Sequence, residues 1–116
     1  MKKLWDKAEL LAIDYLKRND YNIIDTNFKF SRFWEIDIIA KKDDLVVFIE
    51  VKYRSSQQYW TWEESIWRLK KQKILKTIDY FCVKNKIDFE KIRFDVIIIL
   101  KMLKNYRLIH YKNQEL

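Results

Sequence analysis

The sequence predicts an α/β fold with a central mixed β-sheet flanked by helices, in the order α-β-β-β-α-β-β. Two segments repeat apolar residues every three to four positions, which is the period of an amphipathic helix. β-rich runs separated by polar turns fill the rest of the chain. Such an order is best packed as one sheet with helices on its faces. With 116 residues, of which 49% are hydrophobic, we expect a single domain over residues 1–116.

The first half of the chain is predicted to form a helix and three strands. Residues 4–19 carry an apolar stripe at helical spacing. The helix ends at Asn19-Asp20, since Asn accepts the conformation that a helix C-terminus often needs. Three strands follow, over residues 21–30, 33–40 and 45–52. The last two are predicted to form an antiparallel hairpin around the polar turn at 41–44.

The second half is predicted to contain a loop, a long helix and two strands. Residues 53–62 mix polar and aromatic side chains without a period, which indicates a loop. The second helix then runs to Lys86, with Thr61 as its candidate N-cap. The strand at 93–100 is apolar on both faces, so we expect it to be central in the sheet. A last strand covers 106–111.

The composition excludes several classes of functional site. The chain has no Gly and no Pro, so phosphate-binding glycine loops, dinucleotide fingerprints and Gly-flanked nucleophile elbows are absent. One Cys and one His exclude cysteine zinc sites and multi-histidine metal centres. Carboxylates would have to hold any metal ion, which favours Mg²⁺, Mn²⁺ or Ca²⁺.

The charge and the hydropathy pattern indicate the expected partner and compartment. The formal net charge of +7 favours a polyanion such as nucleic acid; a solvated lysine-rich surface is the alternative explanation. No apolar run approaches the roughly 20 residues of a membrane-spanning helix, and no signal-peptide pattern is seen. We therefore expect a cytoplasmic protein with no membrane partner.

Charged residues at the ends of two adjacent strands carry the candidate chemistry: Glu35, Asp37, Glu50 and Lys52. Glu50 and Lys52 share a strand face, because residues two apart in a strand point the same way. That face begins as apolar, so uncompensated charges there would be costly. Counting outward from the turn places Asp37 opposite about Phe48, within a residue or two of Glu50.

These groups form a plausible divalent-cation site for phosphodiester hydrolysis. Asp37, Glu50 and the carbonyl of Val51 would supply oxygen ligands for Mg²⁺ or Mn²⁺, and the metal would lower the pKa of a bound water. Lys52 would orient that water or neutralise charge on the phosphate. Glu9, at the edge of the first helix's apolar stripe, would be a further ligand, directly or through water. The alternative is a structural Glu50–Lys52 ion pair.

Several of these residues lie in motifs that have the order and spacing of a known family. The segments are Ala8-Glu9, Trp34-Glu35-Ile36-Asp37-Ile38-Ile39-Ala40, Ile49-Glu50-Val51-Lys52-Tyr53-Arg54, Lys71-Gln72-Lys73-Ile74 and Arg93-Phe94-Asp95-Val96. They resemble the YraN family of small bacterial proteins. That family is itself similar to the PD-(D/E)XK nucleases, which include the archaeal Holliday-junction resolvases.

The resemblance implies a restriction endonuclease-like fold and a Mg²⁺-dependent endonuclease acting on DNA, including branched or damaged DNA. It assigns the superfamily's metal-binding carboxylates to Asp37 and Glu50, its lysine to Lys52 and its helical acid to Glu9. One departure is Trp34, which stands where the family usually has Gly. A junction substrate is near two-fold symmetric and would suggest a homodimer. The alternative function is a non-catalytic nucleic-acid-binding module that retains the fold.

Basic and aromatic residues near these motifs are candidates for binding nucleic acid, with DNA preferred to RNA. Arg54 and Trp60 belong to the aromatic segment, where rings can stack on unpaired bases. The alternative is that these aromatic residues cover the sheet or mediate self-association. Lys70, Lys71 and Lys73 of the second helix are candidates for phosphate contacts, and a solvated helix face is the alternative for each of them.

Overall fold

Two helices and five strands are found in the part of the chain that the structure, a computed structural model, describes: residues 3–32, 34–55 and 64–115. In chain order they are α1 (Lys3–Arg18), β1 (Asn22–Ser31), β2 (Trp34–Lys42), β3 (Leu45–Arg54), α2 (Glu64–Asn85), β4 (Ile92–Lys101) and β5 (Tyr106–Tyr111). A single 3₁₀ turn, Phe89–Lys91, precedes β4. The order α-β-β-β-α-β-β is as predicted.

The five strands form one mixed sheet in the order β1-β2-β3-β4-β5. The β3–β4 pair is parallel and the other pairs are antiparallel, because the chain crosses over through α2 between β3 and β4. α1 packs on one face of the sheet and α2 on the other. This architecture confirms the predicted mixed sheet flanked by helices and is consistent with a restriction endonuclease-like fold.

Each face of the sheet carries its own apolar cluster. The α1 side joins helix and sheet residues that include Ala8, Ala12, Leu16, Val47, Ile49, Val51 and Ile97. The α2 side includes Ile74, Ile78, Phe81, Val46, Phe48, Phe94 and Ile98. β3 and β4 contribute buried residues to both clusters, which confirms that the strand at 93–100 lies inside the sheet. The charged ends of β2 and β3 therefore project from a rigid, buried framework.

The β2–β3 turn is shorter than the predicted turn at 41–44. β2 continues through Lys42, which pairs with Leu45, so the turn contains only Asp43 and Asp44. Asp43 has a φ of 55°, a left-handed conformation that Asp accepts more readily than most residues. A tight turn therefore forms without glycine. Because two residues of the predicted turn are instead part of β2, the register of the two strands differs from the predicted register by two positions.

The predicted loop and the second helix also differ in detail. β3 extends to Arg54, so the start of the 53–62 segment is strand, whereas Trp60 and Thr61 lie outside the described residues. In α2, the large apolar side chain of Leu75 is exposed rather than part of the core. Among the described helices, none has the length and apolar character needed to cross a membrane.

Candidate functional site

The side chain of Asp37 accepts a hydrogen bond from β3 that a backbone carbonyl of β2 would accept in a regular antiparallel ladder. The β2–β3 ladder ends at Ile38, and the next position brings Asp37 level with Glu50, rather than opposite Phe48 as predicted. Asp37 Oδ2 accepts a hydrogen bond of 2.7 Å from the backbone N–H of Val51. The carboxylate of β2 is therefore fixed against the backbone of β3, beside Glu50.

The alternation of β2 changes at the same point. Ile36 belongs to the cluster under α2, whereas Ile38 belongs to the cluster under α1. In a regular strand two residues with this spacing would share a face. Irregularities of this kind redirect a side chain, and here the irregularity accompanies the turn of Asp37 toward β3.

A second polar residue lies on the other side of Asp37, in β1. The pairs Thr26–Ile38 and Phe28–Ile36 flank this position, so Asn27 stands opposite Asp37. The φ of Asn27 is 53°, which is unusual inside a strand and which Asn tolerates better than most residues.

Glu9 of α1 approaches the site, as predicted. It is buried, with 8% of its surface exposed, and its negative charge contributes to raising the pKa of Asp37. The Nδ2 atom of Asn27 donates to Glu9 Oε2 at 3.1 Å and to Glu35 Oε2 at 2.9 Å. Glu35 of β2 is therefore linked to Glu9 through Asn27.

Asp37 and Glu50 form a tightly packed carboxyl pair. They are 5% and 8% exposed, respectively. Burial, the charge of Glu50 and a hydrogen bond with Glu50 together raise the pKa of Asp37 to about 9, and burial is the largest of these causes. The Val51 N–H acts in the opposite direction but does not outweigh them. A cation at this position would favour the charged form of both groups.

Two lysines contact the same oxygen of Glu50. Lys52 Nζ lies 3.2 Å and Lys70 Nζ lies 3.4 Å from Glu50 Oε2. Burial lowers the pKa of Lys52, and the neighbouring Lys70 lowers it further. For Lys70 burial acts in the same direction, but the hydrogen bond with Lys52 and the charge of Glu50 outweigh it and raise its pKa. Lys52 is therefore the less basic of the two amines.

The oxygen atoms of this site fit Mg²⁺ or Mn²⁺. The N–H and C=O of one strand residue point to the same neighbouring strand, and the N–H of Val51 points to Asp37. The Val51 carbonyl therefore also faces β2. Within residues 3–32, 34–55 and 64–115, no three His, Cys, Asp or Glu side chains form a metal-binding group. The fitting donor set is Asp37, Glu50 and the carbonyl, completed by the several waters that Mg²⁺ usually retains.

The predicted nucleic-acid-binding residues that the structure describes lie in different environments. Lys70 belongs to the site itself, and sequence analysis missed its contact with Glu50. The available signal was its position one turn before Ile74, a buried residue of α2. Lys71 is partly exposed and Lys73 is exposed. Arg54 Nη1 donates to the carbonyl of the preceding residue at 3.0 Å.

A separate buried polar network lies on the α1 side of the sheet. Asp95 is fully buried and accepts hydrogen bonds from Arg93 at 2.9 and 2.8 Å. It also contacts His110 Nε2 at 2.7 Å and the Asn113 N–H at 2.9 Å. The Nδ1 atom of His110 lies 2.7 Å from the Tyr15 hydroxyl. Asp95 therefore has a structural role, with Arg93 as its ion-pair partner.

Comparisons with known proteins identify relatives over most of the chain. A family model described as uncharacterised protein family UPF0102 matches residues 8–99. A UPF0102 protein of Persephonella marina is 40% identical over 107 residues, which cover 92% of this chain and 88% of the relative. A UPF0102 protein of Alkaliphilus oremlandii is 39% identical over 114 residues, or 97% of each chain.

A third relative agrees with these two. The UPF0102 protein of Acetivibrio thermocellus is 40% identical over 90 residues, which cover 78% of this chain and 69% of the relative. The span matched by the family model contains Glu9, Asp37, Glu50 and Lys52. The resemblance to the YraN family is confirmed, and the chain belongs to the UPF0102 family.

Proposed function

We propose that this protein is a metal-dependent endonuclease that hydrolyses phosphodiester bonds of DNA. The observation that carries the proposal is the burial of Asp37 beside Glu50, with Lys52 on the same Glu50 oxygen. Two adjacent buried carboxyl groups are unfavourable for folding. Titratable groups perturbed by burial and by a like charge are concentrated at functional sites, and oxygen ligands of this kind suit Mg²⁺ or Mn²⁺.

Each side chain has a defined task in this proposal. When bound, the metal supplies Lewis acidity and an activated water. Asp37, Glu50 and the Val51 carbonyl would hold the metal, and Glu9 would be a further ligand, directly or through water. Lys52 lies close to Glu50 and is placed to hydrogen bond the attacking water or a phosphate oxygen. Burial lowers its pKa, so this amine gives up a proton more readily than an exposed lysine does.

The charge of the chain supports DNA as the substrate. A net charge of +7 favours a polyanion. Lys71 and Lys73 belong to the same helix as Lys70, so a DNA strand that reaches the site would pass near them. Lysine side chains commonly contact DNA phosphates. A junction substrate, which is near two-fold symmetric, would suggest a homodimer that presents two sites. The free cysteine Cys82 and a DNA substrate fit a cytoplasmic location.

A nuclease panel with Mg²⁺ or Mn²⁺ tests the proposal. Duplex, single strand, flap, four-way junction and RNA would be incubated with the parent chain, with Lys52→Met and with Lys104→Met, which changes an exposed lysine. We expect cleavage of DNA by the parent and the Lys104 variant, and a loss of ~100-fold or more in Lys52→Met. Equal cleavage by the parent and Lys52→Met would overturn the proposal.

A non-catalytic nucleic-acid-binding module is the second candidate. The observation that favours it is that Lys52 and Lys70 both neutralise Glu50, so the cluster is partly charge-compensated without a metal. This candidate predicts that no substrate is cut and that Asp37→Asn and Glu50→Gln bind DNA as the parent does. DNA binding that is weak and nearly independent of salt would contradict both candidates, and would favour a protein-interaction domain.

A further inference from the structure

We propose that Asn27 is a positioning residue that holds Glu9 in place for the metal centre between β2 and β3. The inference rests on the proposed function. It concerns a residue of β1 that would touch neither metal nor DNA and would act only through Glu9. Three observations support it: the contacts of the Asn27 amide, the conformation of its backbone, and its place opposite Asp37.

The amide of Asn27 joins two acidic side chains. Its Nδ2 donates to Glu9 Oε2 at 3.1 Å and to Glu35 Oε2 at 2.9 Å. A primary amide nitrogen carries two hydrogens, so it can serve both carboxylates at once. Without this donor the like charges of Glu9 and Glu35 would repel each other. The amide therefore keeps Glu9 at a defined position despite a second carboxylate nearby.

The backbone of Asn27 is held in an unfavourable conformation to make these contacts. A φ of 53° inside a strand is unfavourable for a residue other than glycine. Local strain of this kind persists where the surrounding structure requires it, and it is concentrated at functional sites. Here it accompanies an amide directed toward α1, the helix that carries Glu9.

The place of Asn27 links this amide to the candidate site. Register places Asn27 opposite Asp37, and the charge of Glu9 is felt at Asp37. Glu9 is itself buried, so a shift of its carboxylate would change the environment of the metal ligands directly. Mutation of residues that orient the groups around a metal typically lowers metal affinity or activity about 10- to 100-fold.

Manganese affinity in the absence of DNA is the measurement that tests this role. Free Mn²⁺ would be followed by electron paramagnetic resonance during titration of the full chain. Asn27→Gly keeps the left-handed backbone accessible and removes only the amide. We expect this variant to bind Mn²⁺ about tenfold more weakly than the parent. Asn113→Gly is the matched control, because Asn113 has a φ of 55° and lies in the separate Asp95 network.

A double variant separates positioning from a general loss of structure. If Asn27 acts through Glu9, Glu9→Gln and the double variant Asn27→Gly/Glu9→Gln should show the same reduction of about tenfold, because coupled residues are not additive. Unfolding in urea without metal would be measured in parallel. A role confined to folding would instead lower the free energy of unfolding and leave the Mn²⁺ affinity unchanged.

The outcomes distinguish this inference from the proposed function. Mn²⁺ binding that Asp37→Asn abolishes and Asn27→Gly leaves unchanged would overturn the role of Asn27 alone. A loss of affinity that persists at full size in the Glu9→Gln background would also overturn it. Mn²⁺ binding that Asp37→Asn does not alter would overturn the metal site and, with it, the role of Asn27.

Discussion

The carboxylate of Asp37 and the backbone N–H of Val51 are joined by a 2.7 Å hydrogen bond across the end of the β2–β3 ladder. The bond fixes Asp37 beside Glu50. The carbonyl of Val51 also faces β2, so it lies toward the same region between the two strands. Two carboxylates and a backbone carbonyl are thus brought together on adjacent strands, where the rigidity of the sheet restrains them.

Replacement of Asp37 by Asn should stabilise the metal-free protein at pH 7. The folded-state pKa of about 9 lies above the ordinary Asp value of ~3.9. The stability contribution of this carboxyl is therefore full below the ordinary pKa and is lost as the pH rises toward the folded-state value. Neutral Asn removes the penalty and can still accept the Val51 N–H. We expect the free energy of unfolding to rise by about 1–3 kcal/mol.

Urea denaturation in the presence of a chelator measures this change. The gain should shrink as the pH falls to about 3, below the ordinary Asp pKa, where the parent carboxyl is largely protonated in both states. Asp14→Asn is the control, because the Asp14 side chain is 61% exposed and pairs with Arg18 in a surface ion pair of small energetic value. A destabilised Asp37→Asn variant would contradict the described environment of Asp37.

Addition of Mg²⁺ should raise the melting temperature of the parent chain and not that of Asp37→Asn or Glu50→Gln. A ligand that binds only the folded state stabilises it by about 2.7 kcal/mol at a concentration of 100 times its dissociation constant. Thermal unfolding with increasing Mg²⁺, and again after chelation, checks this expectation. An equal shift in all three proteins would indicate that Mg²⁺ binds elsewhere.

Removal of Lys70 should make Lys52 more basic. Lys70 contributes to the lowered pKa of Lys52, although burial is the largest cause. In Lys70→Met the pKa of Lys52 should therefore rise, and any rise in cleavage rate that requires its neutral form should move to higher pH. The pH profile of single-turnover cleavage measures this shift. The profile of Lys104→Met should match that of the parent, and an unchanged profile in Lys70→Met would count against the coupling.

Asp95 should stabilise the fold most strongly above the acid range. Burial alone would raise its pKa, but hydrogen bonds from His110, Arg93 and the Asn113 N–H outweigh burial and lower it. Its contribution is therefore present above the ordinary Asp pKa and is lost as the pH falls through the lower folded-state value. Asp95→Asn should cost about 3 kcal/mol at pH 7, because it leaves the partly buried Arg93 without its partner.

The same urea experiment, repeated between pH 3 and pH 7, checks the sign of this effect. The difference between the parent and Asp95→Asn should decrease as the pH falls, because the parent carboxyl then becomes protonated. Cleavage activity gives an independent readout, since the network lies on the α1 side of the sheet and outside the candidate site. A penalty that grows with acidity would contradict the assigned hydrogen bonds.

The sequence was sufficient for the order of the elements because that order follows from the period of the apolar residues. The strand at 106–111 was predicted with the bounds that the structure has. The register of the β2–β3 hairpin was wrong by two positions at Lys42–Leu45. Pairing depends on the conformation of one residue, Asp43, and a non-glycine residue with positive φ leaves little signal in the sequence.

Part of the candidate site could be predicted from the sequence, and part of it could not. Asp37, Glu50 and Lys52 stand out because charges interrupt apolar strands, so their convergence could be expected. Lys70 and Asn27 could not be assigned in the same way. The contact of Lys70 with Glu50 depends on how α2 docks on the sheet, and the orientation of Asn27 depends on its left-handed backbone.

The proposed function requires that Asp37, Glu50 and the Val51 carbonyl bind one divalent cation. Anomalous X-ray diffraction from crystals of the parent chain grown with Mn²⁺ would locate that ion. We expect a single strong anomalous peak between these three groups, with metal–oxygen distances of about 2.0–2.2 Å. The peak should be absent in Asp37→Asn crystals. A featureless map at this position, or a peak held by residues elsewhere and not by these, would contradict the proposed metal site.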